Sequence, residues 1–195
     1  MPTYERAEDE WYPEEPWVTE LLLKYIPKPV LVCDPCCGAG NILKACADAD
    51  IPAFGFDIVE RGSVPNFAGI MPFEKMSERT AFAPTIISNP PYENAKGTER
   101  FIRTMLGIGG VETLAVLGEA RMMFSKSRAL GLWSELPPRL IITIAPRPSI
   151  PPGQGLLDGT IKRGGGKQDY VWFVWSRLPD FPVGWIAGHV ERKKS

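Results

Sequence analysis

Histidine is almost absent from this chain of 195 residues, which carries a single copy, His189. A histidine-based nucleophile system therefore has one candidate near the C-terminus and no supporting motif. Cysteine is also scarce, and its four copies (Cys33, Cys36, Cys37, Cys46) fall in one short stretch. Adjacent Cys36 and Cys37 suit no disulfide framework. Cys33-x-x-Cys36 lacks the second Cys or His pair that would complete a zinc site, so no metal is expected. No run of about 18 apolar residues is present to cross a membrane. The N-terminus is acidic and has no basic segment followed by an apolar stretch, so no secretory signal is expected and the compartment is read as reducing and cytoplasmic. No repeat period and no linker-like stretch interrupts the chain, and residues 1–195 read as a single domain.

What is present is globular in kind, with 44% hydrophobic and 23% charged residues. Nineteen glycines and twenty prolines imply many tight turns and ordered loops. The net charge of −1 conceals an asymmetry. Residues 1–20 hold seven acids and one base, whereas residues 121–170 hold eight bases against three acids. The basic stretch includes Arg147, Lys162, Arg163 and Lys167. It is compatible with a phosphate-bearing partner or, equally, with a solvated basic face.

Short apolar runs alternate with helical spacing. Strands are expected at 30–34, 52–57, 85–89, 113–117, 140–144 and 170–175, and helices at 19–25, 41–49, 98–106 and 126–136. Residues 146–168 read as a Pro- and Gly-rich loop. Strands alternating with helices imply a mostly parallel sheet with helices on both faces. Ligands of such sheets sit at the carboxyl ends of the strands, where Asp34, Asp57 and Asn89 all fall.

Three features carry chemistry. Asp34-Pro-Cys-Cys-Gly-Ala-Gly40 joins a strand to a helix, and its glycines permit a sharp turn and close approach to a ligand. Leu43 occupies the position where a dinucleotide-binding turn needs a small residue, which argues against a nicotinamide cofactor. Asp57 ends the second strand, where a carboxylate can accept hydrogen bonds from ribose hydroxyls. Asn89-Pro90-Pro91-Tyr92 closes the third strand. Its prolines fix the backbone and remove two donors. The Asn89 side-chain oxygen and the Pro90 carbonyl can together grip an amino group, and Tyr92 offers a flat face to a planar ring. Taken alone, the same tetrapeptide could be a turn that ends a strand.

Asp-Pro-x-x-Gly-x-Gly followed by Asn-Pro-Pro-Tyr resembles the S-adenosylmethionine-dependent DNA methyltransferases of the adenine-N6 type. The likeness extends over most of the chain. The segment 12–19 resembles the cofactor-contacting stretch that precedes the glycine turn, and Arg147-Pro148 and the stretch 169–175 are similar to small phage-encoded members. The resemblance implies a Rossmann-like class I methyltransferase fold with a mostly parallel seven-stranded sheet, one antiparallel strand and no separate target-recognition domain. It implies S-adenosylmethionine as cofactor and DNA as partner, in a bacterial or phage-infected cytoplasm. Asp34, Cys36, Gly38 and Gly40 would line the methionine end of the cofactor, with Tyr12 and Thr19 contacting it from the N-terminal segment. Asp57 would hold the ribose and Ile58 would flank the adenine. Asn89 and Pro90 would bind the target amino group, and Tyr92 would stack on the base. The family often has an acid after the third strand near the cofactor adenine; this chain offers Met71-Pro-Phe73, and Phe73 would stack there instead.

The implied reaction needs no covalent enzyme intermediate. Two acceptors on the hydrogens of an exocyclic amine draw its nitrogen toward tetrahedral geometry, and catalysis is then alignment and electrostatics. The base must be flipped from a duplex or met on a single strand. Lys162, Arg163 and Lys167, in a glycine-rich loop with Arg147 nearby, would close over the phosphate backbone. The same tetrapeptide also occurs in enzymes that methylate glutamine in release factors or act on RNA bases, which form the second reading. Cytosine-N4 methylation usually has Ser in place of Asn89. Cytosine-C5 methylation would need a nucleophilic Cys near the base, and Cys36 sits in the cofactor turn.

Overall fold

The computed structural model describes residues 7–78 and 83–191. Eight strands form one sheet: β1 (Val32–Asp34), β2 (Ala53–Asp57), β3 (Phe67–Ile70), β4 (Thr85–Ser88), β5 (Thr113–Glu119), β6 (Leu140–Ala145), β7 (Tyr170–Ser176) and β8 (Gly184–His189). Their order is β3-β2-β1-β4-β5-β7-β6-β8. β7 runs antiparallel to both β5 and β6, and the other neighbours are parallel. The mostly parallel sheet with one antiparallel strand is as expected, but it has eight strands rather than seven. β8 adds to β6 at the far edge and β3 forms the opposite edge. Both are short, contain glycine and carry exposed positions along their length, so neither has the signature of a buried strand.

The central strands read the other way. Every residue of β1, β4 and β5 is buried, as befits strands covered on both faces. Alternate residues face two cores. On one face Val32, Ile87, Ala115 and Leu117 pack against α1 (Pro16–Leu23) and α2 (Asn41–Asp48) through Val18, Leu21, Ile42 and Cys46. On the other, Cys33, Ile86, Leu114 and Val116 pack against Phe101, Ile102 and Met105 of α3 (Lys96–Gly107). The Trp172 indole N–H donates to the Val18 carbonyl at 2.9 Å, which satisfies both groups in the first core.

Helix boundaries depart from the periodicity in three places. α1 starts at Pro16, whose fixed φ suits a first helical position. The expected helix over 126–136 is two pieces, α4 (Lys126–Leu130) and α5 (Leu132–Glu135), because Gly131 adopts φ −113° and ψ −99°. The stretch 146–168 holds a short helix, α6 (Gly153–Leu157), within its loop. Among the described residues no helix is long and apolar enough to cross a membrane.

Candidate functional site

The site is built on the carboxyl ends of β1, β2 and β4. Between β1 and α2 the chain turns through Gly38 (φ +52°) and Gly40 (φ +80°), conformations that favour glycine. Asp34 anchors this turn: one carboxylate oxygen accepts the Cys36 N–H at 3.1 Å and the Ser88 hydroxyl at 2.7 Å. Burial holds the Asp34 carboxyl well above the usual carboxylate range despite those two donors. Asp57 accepts the Gly38 N–H at 2.7 Å through one oxygen and the Val59 N–H at 3.3 Å through the other. Three strand ends are thus bound to one turn.

A cavity of about 340 Å³ opens over the turn, within the range of roughly 300–1,000 Å³ for small-molecule sites. Of the residues expected to touch a cofactor, Tyr12, Asp34, Cys36, Gly38, Asp57, Ile58, Phe73 and Asn89 line it. Thr19 and Gly40 do not. Thr19 is fully buried on α1, and Gly40 lies under Val64, whose Cγ1 would stand 2.6 Å from an added Cβ. Pro91 also lines the cavity, whereas the buried Pro90 and Tyr92 do not. Burial beside Asp34 and Asp57 pushes the Cys36 thiol well above its ordinary value, so it is held neutral rather than as a thiolate nucleophile.

The Asn89 amide has both donors occupied, one by the Tyr12 carbonyl and one by a Glu14 carboxylate oxygen, each at 2.8 Å. Its oxygen accepts the Tyr92 hydroxyl at 2.6 Å. The Tyr92 ring is 8% exposed and stands between Tyr12 and Tyr170, each 5.9 Å away between centroids. In this arrangement the ring offers no open face, so stacking on a base requires it to turn out. Burial also raises the Tyr92 phenol well above its usual value, which keeps it a donor. Directly after the tetrapeptide, Glu93, Asn94 and Ala95 all have left-handed φ (41°, 56° and 67°). Three consecutive non-glycine residues in that region carry strain of the kind that clusters at functional sites. The Glu10 carboxylate receives the Glu93 N–H at 2.8 Å.

Among solved structures, the chain resembles an S-adenosylmethionine-dependent methyltransferase from Archaeoglobus fulgidus, with a TM-score of 0.56 and 11% identity over 83% of this chain and 92% of that one. It also resembles PH1948 of Pyrococcus horikoshii, to which RNA methyltransferase activity is ascribed (TM-score 0.51, 15% identity, 85% and 80% covered). TrmN from Thermus thermophilus follows at a TM-score of 0.50 and 17% identity, over 84% of this chain and 49% of that one. The fold is that of the S-adenosylmethionine-dependent methyltransferases. No protein-family profile and no curated protein sequence matches the chain.

Several site residues of this methyltransferase fold escape sequence reasoning. Trp11 lies over the glycine turn: an added Cβ at Gly38 would meet its Nε1 at 2.8 Å, and one at Gly153 would meet its Cδ2 at 2.3 Å. The Arg61 guanidinium stacks on the same indole at 4.5 Å and approaches Asp57 at 4.0 Å. Glu14, Ser88 and Glu74 complete the set, Glu14 and Glu74 as cavity-lining acids and Ser88 as the Asp34 donor. Only Glu14 had a local signal, since it lies inside the segment 12–19.

The four basic residues expected at nucleic acid do not line the cavity. Arg147 donates to Asp169 at 2.6 Å. Arg163 donates to the carbonyls of Ser149, Pro13 and Glu14, tying the 146–168 stretch to the N-terminal segment. Lys162 and Lys167 are exposed.

Proposed function

We propose that the chain transfers the methyl group of S-adenosylmethionine to the exocyclic N6 amine of adenine in DNA, by direct in-line attack on a flipped or single-stranded base. One observation carries this reading: Asn89, at the end of β4, shares a single cavity with the glycine turn and with Asp57. The cavity residues suit the cofactor. Trp11 Nε1 and Arg61 Nε are buried donors without a hydrogen-bond partner among the described residues, and both side chains line the cavity. The cofactor brings a carboxylate and ribose hydroxyls that can accept from such donors. Asp57 would hold the ribose, Ile58 and Phe73 would flank the adenine, and Asp34, Cys36 and Gly38 would line the methionine end. Glu74 supplies, one residue after Phe73, the acid that the family resemblance places near the cofactor adenine.

When bound, the cofactor supplies an electrophilic sulfonium methyl. The chain's own part is to orient the amine. The free lone pair of Asn89 Oδ1 accepts one of its hydrogens and stabilises the charge that develops on nitrogen; Pro90 is buried and does not line the cavity, so its carbonyl would have to turn toward it to accept the second. The proline pair fixes the backbone that carries Asn89. The raised value of the Cys36 thiol speaks against the C5 route.

Labelled-methyl transfer offered in parallel to DNA, RNA and protein, followed by digestion and mass analysis, tests the proposal. N6-methyladenine in DNA is the expected product. One of the structural neighbours, PH1948, is described as an RNA methyltransferase, so RNA is the competing substrate in that assay. Label in RNA or protein alone overturns the DNA assignment and leaves the cofactor reading standing.

A further inference from the structure

The geometry points to Glu14 as a positioning residue that fixes which end of the Asn89 amide faces the reacting amine. This rests on the function proposed above. Glu14 is 5% exposed and stands immediately ahead of α1, seventy-five residues from its partner in sequence. A primary amide has two donors on nitrogen and one acceptor oxygen. At Asn89 the nitrogen meets a carbonyl and a carboxylate, and the oxygen meets a hydroxyl. Turned over, the amide would set its oxygen against two acceptors. Glu14, together with the Tyr12 carbonyl, therefore disfavours the flipped form and keeps Oδ1 as the accepting end of the amide.

The Glu14 main chain is itself held. Asn41, at the start of α2, donates to the Glu14 carbonyl at 2.6 Å, and Arg163 donates to the same oxygen at 3.2 Å. Burying a carboxylate is costly, and it is seldom kept for stability alone. Burial raises the Glu14 carboxyl above its ordinary value, against the opposing pull of Asn89 and Arg163. A side chain retained at that cost, with its oxygen on the one amide the proposed chemistry needs, is accounted for by orientation.

The test uses Glu14→Ala, Glu14→Gln, Asn89→Asp and the Glu14→Gln/Asn89→Asp pair in the full chain. Three readouts apply: cofactor affinity by calorimetry, kcat for methyl transfer, and hydrogen exchange of the Asn89 side-chain amide by NMR. Glu14→Ala is expected to lower kcat on the order of a hundredfold while cofactor affinity stays close to that of the wild type. Glu14→Gln keeps an accepting oxygen and is expected to recover most of the rate. Asn89→Asp sets two carboxylates together and is expected to fail, whereas the paired variant restores the donor–acceptor contact at position 14, though not at the Tyr12 carbonyl, and regains part of the activity. An unchanged kcat in Glu14→Ala, or a paired variant no better than Asn89→Asp, overturns the inference. Should Glu14→Ala not fold, the paired variant still decides. If the wild type methylates no substrate, the proposed function falls while the exchange readout remains. Protection of the Asn89 amide in wild type and Glu14→Gln but not in Glu14→Ala upholds the positioning role, and equal exchange in all three overturns it.

Discussion

The Asp57 carboxylate at the end of β2 receives the backbone N–H of Gly38 at 2.7 Å, so the residue proposed to hold the ribose also braces the glycine turn. A charged acceptor on a buried donor contributes about 1.5–3 kcal/mol. Asp57→Ala is accordingly expected to weaken cofactor binding by roughly ten- to a hundredfold and to lower thermal stability, both readable from calorimetry with and without ligand. Unchanged affinity would remove Asp57 from the site.

Asn89→Ala separates chemistry from binding. Methyl transfer should be lost in a single-turnover assay, because the acceptor for the amine is gone. Cofactor affinity should change little, since Asp57 and the glycine turn are untouched. Parallel loss of both would assign Asn89 to cofactor binding instead.

Gly153→Ala tests the packing of Trp11 from a distance. An added Cβ would stand 2.3 Å from the indole Cδ2 and 2.4 Å from Cε3, too close to be absorbed without displacing the ring. Overpacking costs about 1–3 kcal/mol, and the displaced indole should weaken cofactor binding as well. A Tm shift without any change in affinity would place Trp11 in the scaffold only.

Stability should fall as pH rises. A free aspartate titrates near about 3.9, whereas burial holds Asp34 well above that. Between those values the native state keeps a proton that the unfolded chain releases, so unfolding is favoured as pH increases through the window. Glu14 is displaced in the same direction. Asp34→Asn should therefore flatten, without abolishing, the decline in urea midpoint from pH 4.5 upward. A slope equal to that of the wild type would show Asp34 to be charged in the folded state.

Charge reversal should sort the basic residues. Lys162→Glu with Lys167→Glu is expected to weaken DNA binding and reduce its salt dependence, with cofactor affinity intact. Arg163→Ala should instead weaken cofactor binding, because its guanidinium holds the Pro13 and Glu14 carbonyls. Filter binding across a salt series and calorimetry together separate the two effects.

The legible part of this protein is local. The strands β1, β4, β5 and β7 are short, continuous apolar runs, and their burial on both faces follows from that composition. The glycine turn and the proline-locked tetrapeptide also stand where the sequence puts them, at strand ends, since their conformations are set by the residues themselves. The edge strands β3 and β8 were not legible, because they are short, contain glycine, carry exposed positions and acquire order only from a neighbour.

By itself, then, the sequence determined the alternating α/β plan and the positions of Asp34, Asp57 and Asn89 at the carboxyl ends of strands; that those strands are neighbours came from the sheet order. Tertiary structure alone decided what those residues face. Glu14 reaches Asn89, Arg163 reaches Pro13 and Trp11 covers Gly38 only once the N-terminal segment has folded across the sheet. Periodicity reports the environment of neighbours a few residues apart, whereas these contacts join side chains by donor, acceptor and shape across dozens of residues, and no local pattern encodes such a pairing.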